Sequence, residues 1–256
     1  MTLDDVRYPV SAAATEIIDG RTAYCFSAAV PAKEMQRKVT LKVFDGQGNA
    51  VTLLLHSEDI TAEGFSCSVE DYLDKAIATV DSAKLLELAY AMRDYGSCAQ
   101  LHFDYDTDNR AAVRDSVSQV SAADLAAYEG SKTEAENAPV RFSGVSLLLR
   151  SNTVMRFYFQ VKSGSVEDCT ITLDGETVTP VQSGAYWYVE KSGIVARDLD
   201  TAVTVQVEQD GEQLFEGSYS PLSYAYKVLG EDNDANLQLL MKALFRYWQA
   251  AEDFFA

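Results

Sequence analysis

Residues 104–109, Asp104-Tyr105-Asp106-Thr107-Asp108-Asn109, place side-chain oxygens at alternate positions, and Asp115 stands at the twelfth place of the same stretch. Carboxylates at the first, third, fifth and twelfth positions are the spacing of a calcium loop, with Asn109 where glycine usually makes the sharp turn. Asp104, Asp106, Asp108 and Asp115 are therefore the candidate metal ligands. The alternative is a solvated acidic turn. It is favoured by the short reach of an aspartate at the twelfth place and by the positive charge of Arg110.

Nucleophilic chemistry has few possible bases, since His56 and His102 are the only histidines. Neither lies in a G-x-S-x-G, H-E-x-x-H, Walker or G-x-G-x-x-G setting, so no motif assigns a catalytic residue. Cys25, Cys67, Cys98 and Cys169 are widely separated, and no C-x-x-C pair points to zinc. Isolated cysteines of this kind are expected as reduced, buried thiols. A glycoside hydrolase built on paired carboxylates stays open in a chain with 39 acidic residues.

Aromatic side chains offer binding chemistry. In Phe157-Tyr158-Phe159 and Tyr186-Trp187-Tyr188, strand alternation sends the outer pair to one face and the middle ring to the other. Tyr186 and Tyr188 are expected to fill a core, as their counterparts Tyr24 and Phe26 would. Trp187 with Tyr158 is then the candidate ligand-binding pair, suited to stacking on a sugar ring or anchoring a protein.

The chain that must position these groups has 256 residues, 47% of them hydrophobic, which is enough to build a core. Its formal charge of −18 repels phosphate backbones and anionic lipid, so neither nucleic acid nor a membrane surface is an expected partner. No apolar run is long enough to span a bilayer, and Met1-Thr2-Leu3-Asp4-Asp5 does not resemble a signal peptide. An export signal is expected to lie outside this sequence.

The sequence repeats itself. Residues 68–103 fall on 220–255 without a gap, with identities that include Ser68/Ser220, Tyr72/Tyr224, Leu85/Leu237, Leu88/Leu240, Tyr95/Tyr247 and Phe103/Phe255. Upstream, Val39-Thr40-Leu41-Lys42-Val43 meets Val203-Thr204-Val205-Gln206-Val207, and Ala23-Tyr24-Cys25-Phe26 meets Ala185-Tyr186-Trp187-Tyr188. Thr2-Leu3-Asp4 meets Thr172-Leu173-Asp174, so the first copy is expected to be incomplete at its N-terminus. The runs at 145–149 and 154–159 have no counterpart in it.

Each copy reads as strands followed by helices. Alternating runs predict strands at 22–30, 38–44, 201–207 and 214–219, with turns at Asp45-Gly46 and Asp174-Gly175. Ser220-Pro221 opens a short helix to about Leu229, and Asn233 or Asp234 opens a long one to Phe255. Leu237, Leu240, Leu244, Tyr247, Ala251 and Phe254 form its packing stripe. The expected fold class is α+β, with two pseudo-repeats of antiparallel sheet carrying a short and a long helix. The domains run 1–109, a linker with a short helix over 110–139, and 140–256.

Residues 95–103, continuing to Asn109, are similar to a "YGAYAQLYFGYNTDN" signature, and Leu222-Ser223-Tyr224-Ala225-Tyr226 with residues 243–251 resembles its partner, "LSYAY … KALYLYNQAA". Both mark a repeat module of large secreted or cell-wall-attached surface proteins of gut Firmicutes, chiefly Clostridia. Cys98, His102, Asp104 and Asp106 depart from that pattern. The resemblance implies an extracellular, cell-surface location among neighbouring modules, and it brings no assigned activity. The expected function is noncatalytic: adhesion to a glycan or host protein, or spacing of modules. The alternative is a carboxylate-based glycoside hydrolase or its accessory domain. No cofactor is expected beyond the calcium alternative.

Overall fold

The computed structural model describes residues 1–55, 58–60 and 64–256; His56 lies outside the described residues. The chain is α+β and separates into two compact units, residues 1–30 with 34–79 and residues 31–33 with 80–256.

In the first unit, Asp4 and Asp5 adopt left-handed φ of 48° and 63° and turn β1 (Thr2–Leu3) back onto β2 (Val6–Arg7). A second hairpin follows over Asp19-Gly20, formed by β3 (Ala14–Ile18) and β4 (Arg21–Cys25). Next come β5 (Val39–Lys42), the paired β6 (Leu53–Leu55) and β7 (Glu58–Ile60), and β8 (Phe65–Cys67). One sheet has the order β2-β1-β5-β8, while β3 and β4 form a two-stranded sheet among the described residues. Helix α1 (Val69–Thr79) buries Leu73, and Met35 is buried in the same unit. The strand expected to reach Val30 stops at Cys25.

The second unit holds the larger core. It begins with α2 (Ala83–His102), capped by Ser82, and α3 (Asp115–Ser118). A 3₁₀ turn at Ala122–Tyr128 leads to β9 (Ser131–Glu134), β10 (Val140–Leu149) and β11 (Thr153–Val161). Then follow β12 (Thr170–Leu173), β13 (Glu176–Thr177), β14 (Val181–Ser183), β15 (Tyr186–Ile194), β16 (Val203–Gln209) and β17 (Glu212–Tyr219). The chain ends in α4 (Pro221–Gly230) and α5 (Ala235–Phe255). Two antiparallel sheets result, β10-β11-β15-β14 and β13-β12-β16-β17-β9. Their facing side chains, among them Met155, Phe157, Phe159, Ile171, Val205, Val207 and Phe215, form one core cluster.

The two segments pair in matching registers. Thr2↔Arg7 and Leu3↔Val6 correspond to Thr172↔Thr177 and Leu173↔Glu176, and Leu3↔Leu41 corresponds to Leu173↔Val205. Val39↔Cys67 likewise corresponds to Val203↔Tyr219. Even the turn carboxylates act alike: Asp4 Oδ1 accepts from Thr40 N at 2.9 Å and Asp174 Oδ1 from Thr204 N at 3.0 Å.

The helices mark a departure from the expected layout. Stripe residues Leu240, Leu244 and Ala251 are buried, but α5 also buries Met241, Phe245 and Trp248, because it packs on α2 and α4 in a largely helical core. Tyr95 and Tyr247, the corresponding tyrosines of the two copies, stack on each other at 5.5 Å with planes 14° apart. The stretch 110–139 is no linker. Val117 and Leu125 are fully buried in the helical cluster, and β9 completes a sheet. The compact units therefore divide near residue 80, whereas the sequence copies have their bounds at 109 and 140.

The two short helices have equivalent but chemically different N-terminal caps. Ser220 Oγ accepts from Ser223 N and Ser223 Oγ from Ser220 N, at 3.1 and 2.9 Å. At α1, Ser68 Oγ accepts from Asp71 N at 3.0 Å and Asp71 Oδ2 from Ser68 N at 2.7 Å, and Lys38 also donates to Asp71. Lys38 first, then the Ser68 amide and hydroxyl, hold the Asp71 carboxyl down from 3.8 to about 2. A lowered folded-state value means that this stabilisation is complete above the ordinary aspartate range and is lost as pH falls through about 2. On acidification between those limits, the Ser68 and Asp71 amide resonances are expected to shift while those of Ser220 and Ser223 stay in place. An NMR pH titration checks this, with Asp71→Asn expected to abolish the shift.

Candidate binding surface

Sheet β10-β11-β15-β14 presents one face to the core and one outward, and the registers decide which ring goes where. Phe159 lies opposite Trp187, and Tyr158 lies opposite Tyr188. Directly opposed residues share a face. Phe159 is fully buried, so Trp187 turns inward with it and packs against the sheet core beside buried Val189. Tyr158, Tyr186 and Tyr188 turn outward. The expected pairing of Trp187 with Tyr158 is thus corrected: the two rings lie on opposite faces of the sheet, and Tyr186 and Tyr188 do not fill the core. Glu190 carried the signal that could have shown this. It has the parity of Tyr186 and Tyr188, and a charged residue marks the solvent side.

The outward rings form a connected group. Tyr158 lies 6.5 Å from Tyr186 and 5.9 Å from Tyr188, both between ring centroids. The Arg156 guanidinium covers the Tyr188 ring at 4.2 Å and donates to Glu190 Oε2 at 2.7 Å. Glu190 raises the Arg156 pKa against the opposing effect of burial. Its charge is thereby matched locally. Ser146 and Tyr158 hydroxyls are 3.5 Å apart. Opposite Tyr158 stands Gly144, which follows a bulge after Phe142 and holds φ of 147°. A Cβ at Gly144 would meet nothing within 4 Å, so the space beside the Tyr158 strand is open. Val181, opposite Tyr188, extends the patch and is half exposed, as is Tyr186.

A cleft of about 450 Å³, which Gly144 also lines, lies where α4 meets β10 and β17. Tyr219, Tyr224 and Tyr226 line it together with Lys132, Lys227, Glu129 and Glu231. Burial pushes the Tyr224 and Tyr219 phenols up, so both present O–H donors at neutral pH. Gly130 at its wall is required by close approach, because a Cβ there would sit 2.3 Å from the Tyr219 ring.

The acidic loop does not assemble. Among the described residues, no three His, Cys, Asp or Glu side chains are gathered as a metal site, so Asp104, Asp106, Asp108 and Asp115 are not brought together. The loop closes on its own bonds instead: Asp106 is left-handed at φ 46°, and its Oδ1 accepts from Asn109 Nδ2 at 2.7 Å. Residues 110–114 then run without regular structure, carrying Asp115 away to begin α3. His102 ends α2 with its ring edge-on to Phe103 at 4.8 Å. All four cysteines are free thiols. Cys98 is fully buried, with burial pushing its pKa up to about 12, and Cys25, Cys67 and Cys169 are partly exposed. No helix among the described residues is long and apolar enough to cross a membrane. Compared with family models, curated proteins and solved structures, the chain matches none.

Proposed function

We propose that the chain is a noncatalytic, extracellular surface module that binds a neutral glycan through the outer face of the β10-β11-β15-β14 sheet. The observation that carries this reading is the group of Tyr158, Tyr186 and Tyr188 on one open sheet face beside Gly144. Tyrosine offers a large flat surface at low entropic cost, and the electron-rich ring face suits the C–H side of a sugar ring. Arg156, Glu190, Gln160 and Ser146 supply donors and acceptors around the rings for sugar hydroxyls. Arg156 is neutralised by Glu190 and the chain carries −18, which disfavours an acidic ligand. The surface-protein resemblance of residues 95–109 and 222–226 supports the extracellular setting and a place among neighbouring modules.

A panel of neutral oligosaccharides measured by calorimetry tests the reading. Tyr186→Ala is expected to weaken binding about tenfold, corresponding to about 1.4 kcal/mol, with an unchanged melting temperature because the ring is exposed. Trp187→Ala should lower the melting temperature instead, because that ring packs on the core. Absence of binding to every glycan tested overturns the proposal. Release of reducing sugar, abolished by Glu129→Gln or Glu231→Gln, would install the hydrolase reading at the cleft.

A further inference from the structure

Registers on the outer face of the β10-β11-β15-β14 sheet line up one residue from each strand. Val181 lies opposite Tyr188, Tyr188 opposite Tyr158 and Tyr158 opposite Gly144, so the four form a row that crosses the whole sheet. Three inter-strand steps of about 4.8 Å make that row about 14 Å long, roughly the length of three hexose rings end to end. Its last member stands on the edge strand β10 and has no side chain. Gly144 also lines the cleft of about 450 Å³ beside α4, and a Cβ on it would meet nothing within 4 Å. The row therefore opens at that end into the cleft.

The cleft repeats the chemistry of the face. Tyr219, Tyr224 and Tyr226 line it, and Lys132 and Lys227 stand against Glu129 and Glu231 around it. Charges of both signs disfavour an anionic and a cationic sugar alike, whereas a hydroxyl both donates and accepts and can use either. The volume is that of a small-molecule site. We infer, on the basis of the sugar-binding reading of the tyrosine face, that row and cleft are successive parts of one site. Its ligand is an extended, neutral, β-1,4-linked oligosaccharide longer than the row, which lies across the strands, passes over Gly144 and ends in the cleft. A β-1,4 linkage gives a flat, straight chain that matches a straight row of rings, whereas a coiled α-linked chain would leave the face before Gly144. At φ of 147° that position favours glycine, and the missing side chain keeps the passage open.

Calorimetry of the full chain with β-1,4-linked oligomers of glucose and of N-acetylglucosamine, from two to six units, tests this. In at least one series the hexamer is expected to bind about tenfold more tightly than the trimer, and Tyr226→Ala to abolish that excess while leaving trimer affinity unchanged. Because Tyr226 also packs on the helical core, its melting temperature is measured alongside. Lys227→Ala, at an exposed residue, gives a second reading, with an expected loss of about threefold for the hexamer alone. Tyr186→Ala should weaken both lengths. Equal affinity of trimer and hexamer, equal losses at both lengths in the cleft variants, or a hexamer excess that survives both of them overturns the inference and leaves the tyrosine face as the whole site. Failure of both series to bind also overturns it; the reading of the tyrosine face falls with it only when the wider panel of neutral glycans fails as well.

Discussion

Replacing Asp94 with alanine is expected to remove about 1.5–3 kcal/mol from the stability of the second unit, the cost of losing the hydrogen bonds that a buried carboxylate accepts. Asp94 lies on α2 with 2% exposure, and its Oδ2 accepts from Arg114 Nε at 2.6 Å while its Oδ1 accepts from Arg114 N at 3.1 Å. Arg114 also donates to Glu87 at 2.7 Å and stacks over Tyr90 at 5.2 Å, and Arg246 of α5 reaches Glu87 at 3.6 Å. Burial works against the Arg114 charge, and the bonds from Glu87 and Asp94 outweigh it, so its pKa is raised. One buried carboxylate thus ties residues 110–118 to the helix pair. Both tryptophans lie in the second unit, so urea unfolding followed by their fluorescence reads this loss directly. Asp94→Leu combined with Arg114→Met should recover much of it, since replacing both partners by apolar groups leaves neither without its hydrogen bonds.

Phe215→Ala should cost more, about 3–5 kcal/mol, through the cavity left in the sandwich core. Phe215 is 1% exposed. Its ring stacks on Phe142 at 4.5 Å and meets Phe159 edge-on at 5.8 Å, and Tyr219 lies 5.7 Å from Phe142. Gly217 makes this cluster possible. A Cβ there would sit 2.6 Å from Phe215 and 2.8 Å from Tyr219, so Gly217→Ala is expected to cost about 1–3 kcal/mol by overpacking the same core. The double variant should be less destabilised than the sum of the singles, because truncating Phe215 removes the ring atom that a Cβ on residue 217 would strike. Urea midpoints of the three variants check both claims.

What could be read locally was legible. Caps at Ser220 and Asp234, the turn at Asp174-Gly175 and the span of α5 follow from residues within a few positions of one another, where side-chain oxygens and left-handed turns act directly on the backbone. Comparison of the chain with itself gave more, because corresponding residues such as Thr2 and Thr172 hold the same place in their ladders. The binding face was half legible. Alternation separated Tyr158 from Phe157 and Phe159, but within Tyr186-Trp187-Tyr188 the single charge of Glu190 was the one local cue to the outer face, and the β11 register set it. The mate of Asp94 lies twenty positions away across an irregular segment, and Tyr95 meets Tyr247 only because α2 packs on α5. Sequence by itself determined where α4 and α5 run and how they begin; tertiary structure decided that β4 stops at Cys25, that residues 131–134 join a sheet and which face of each element is wet, because burial is a property of the neighbour that covers a surface and not of the residue that forms it.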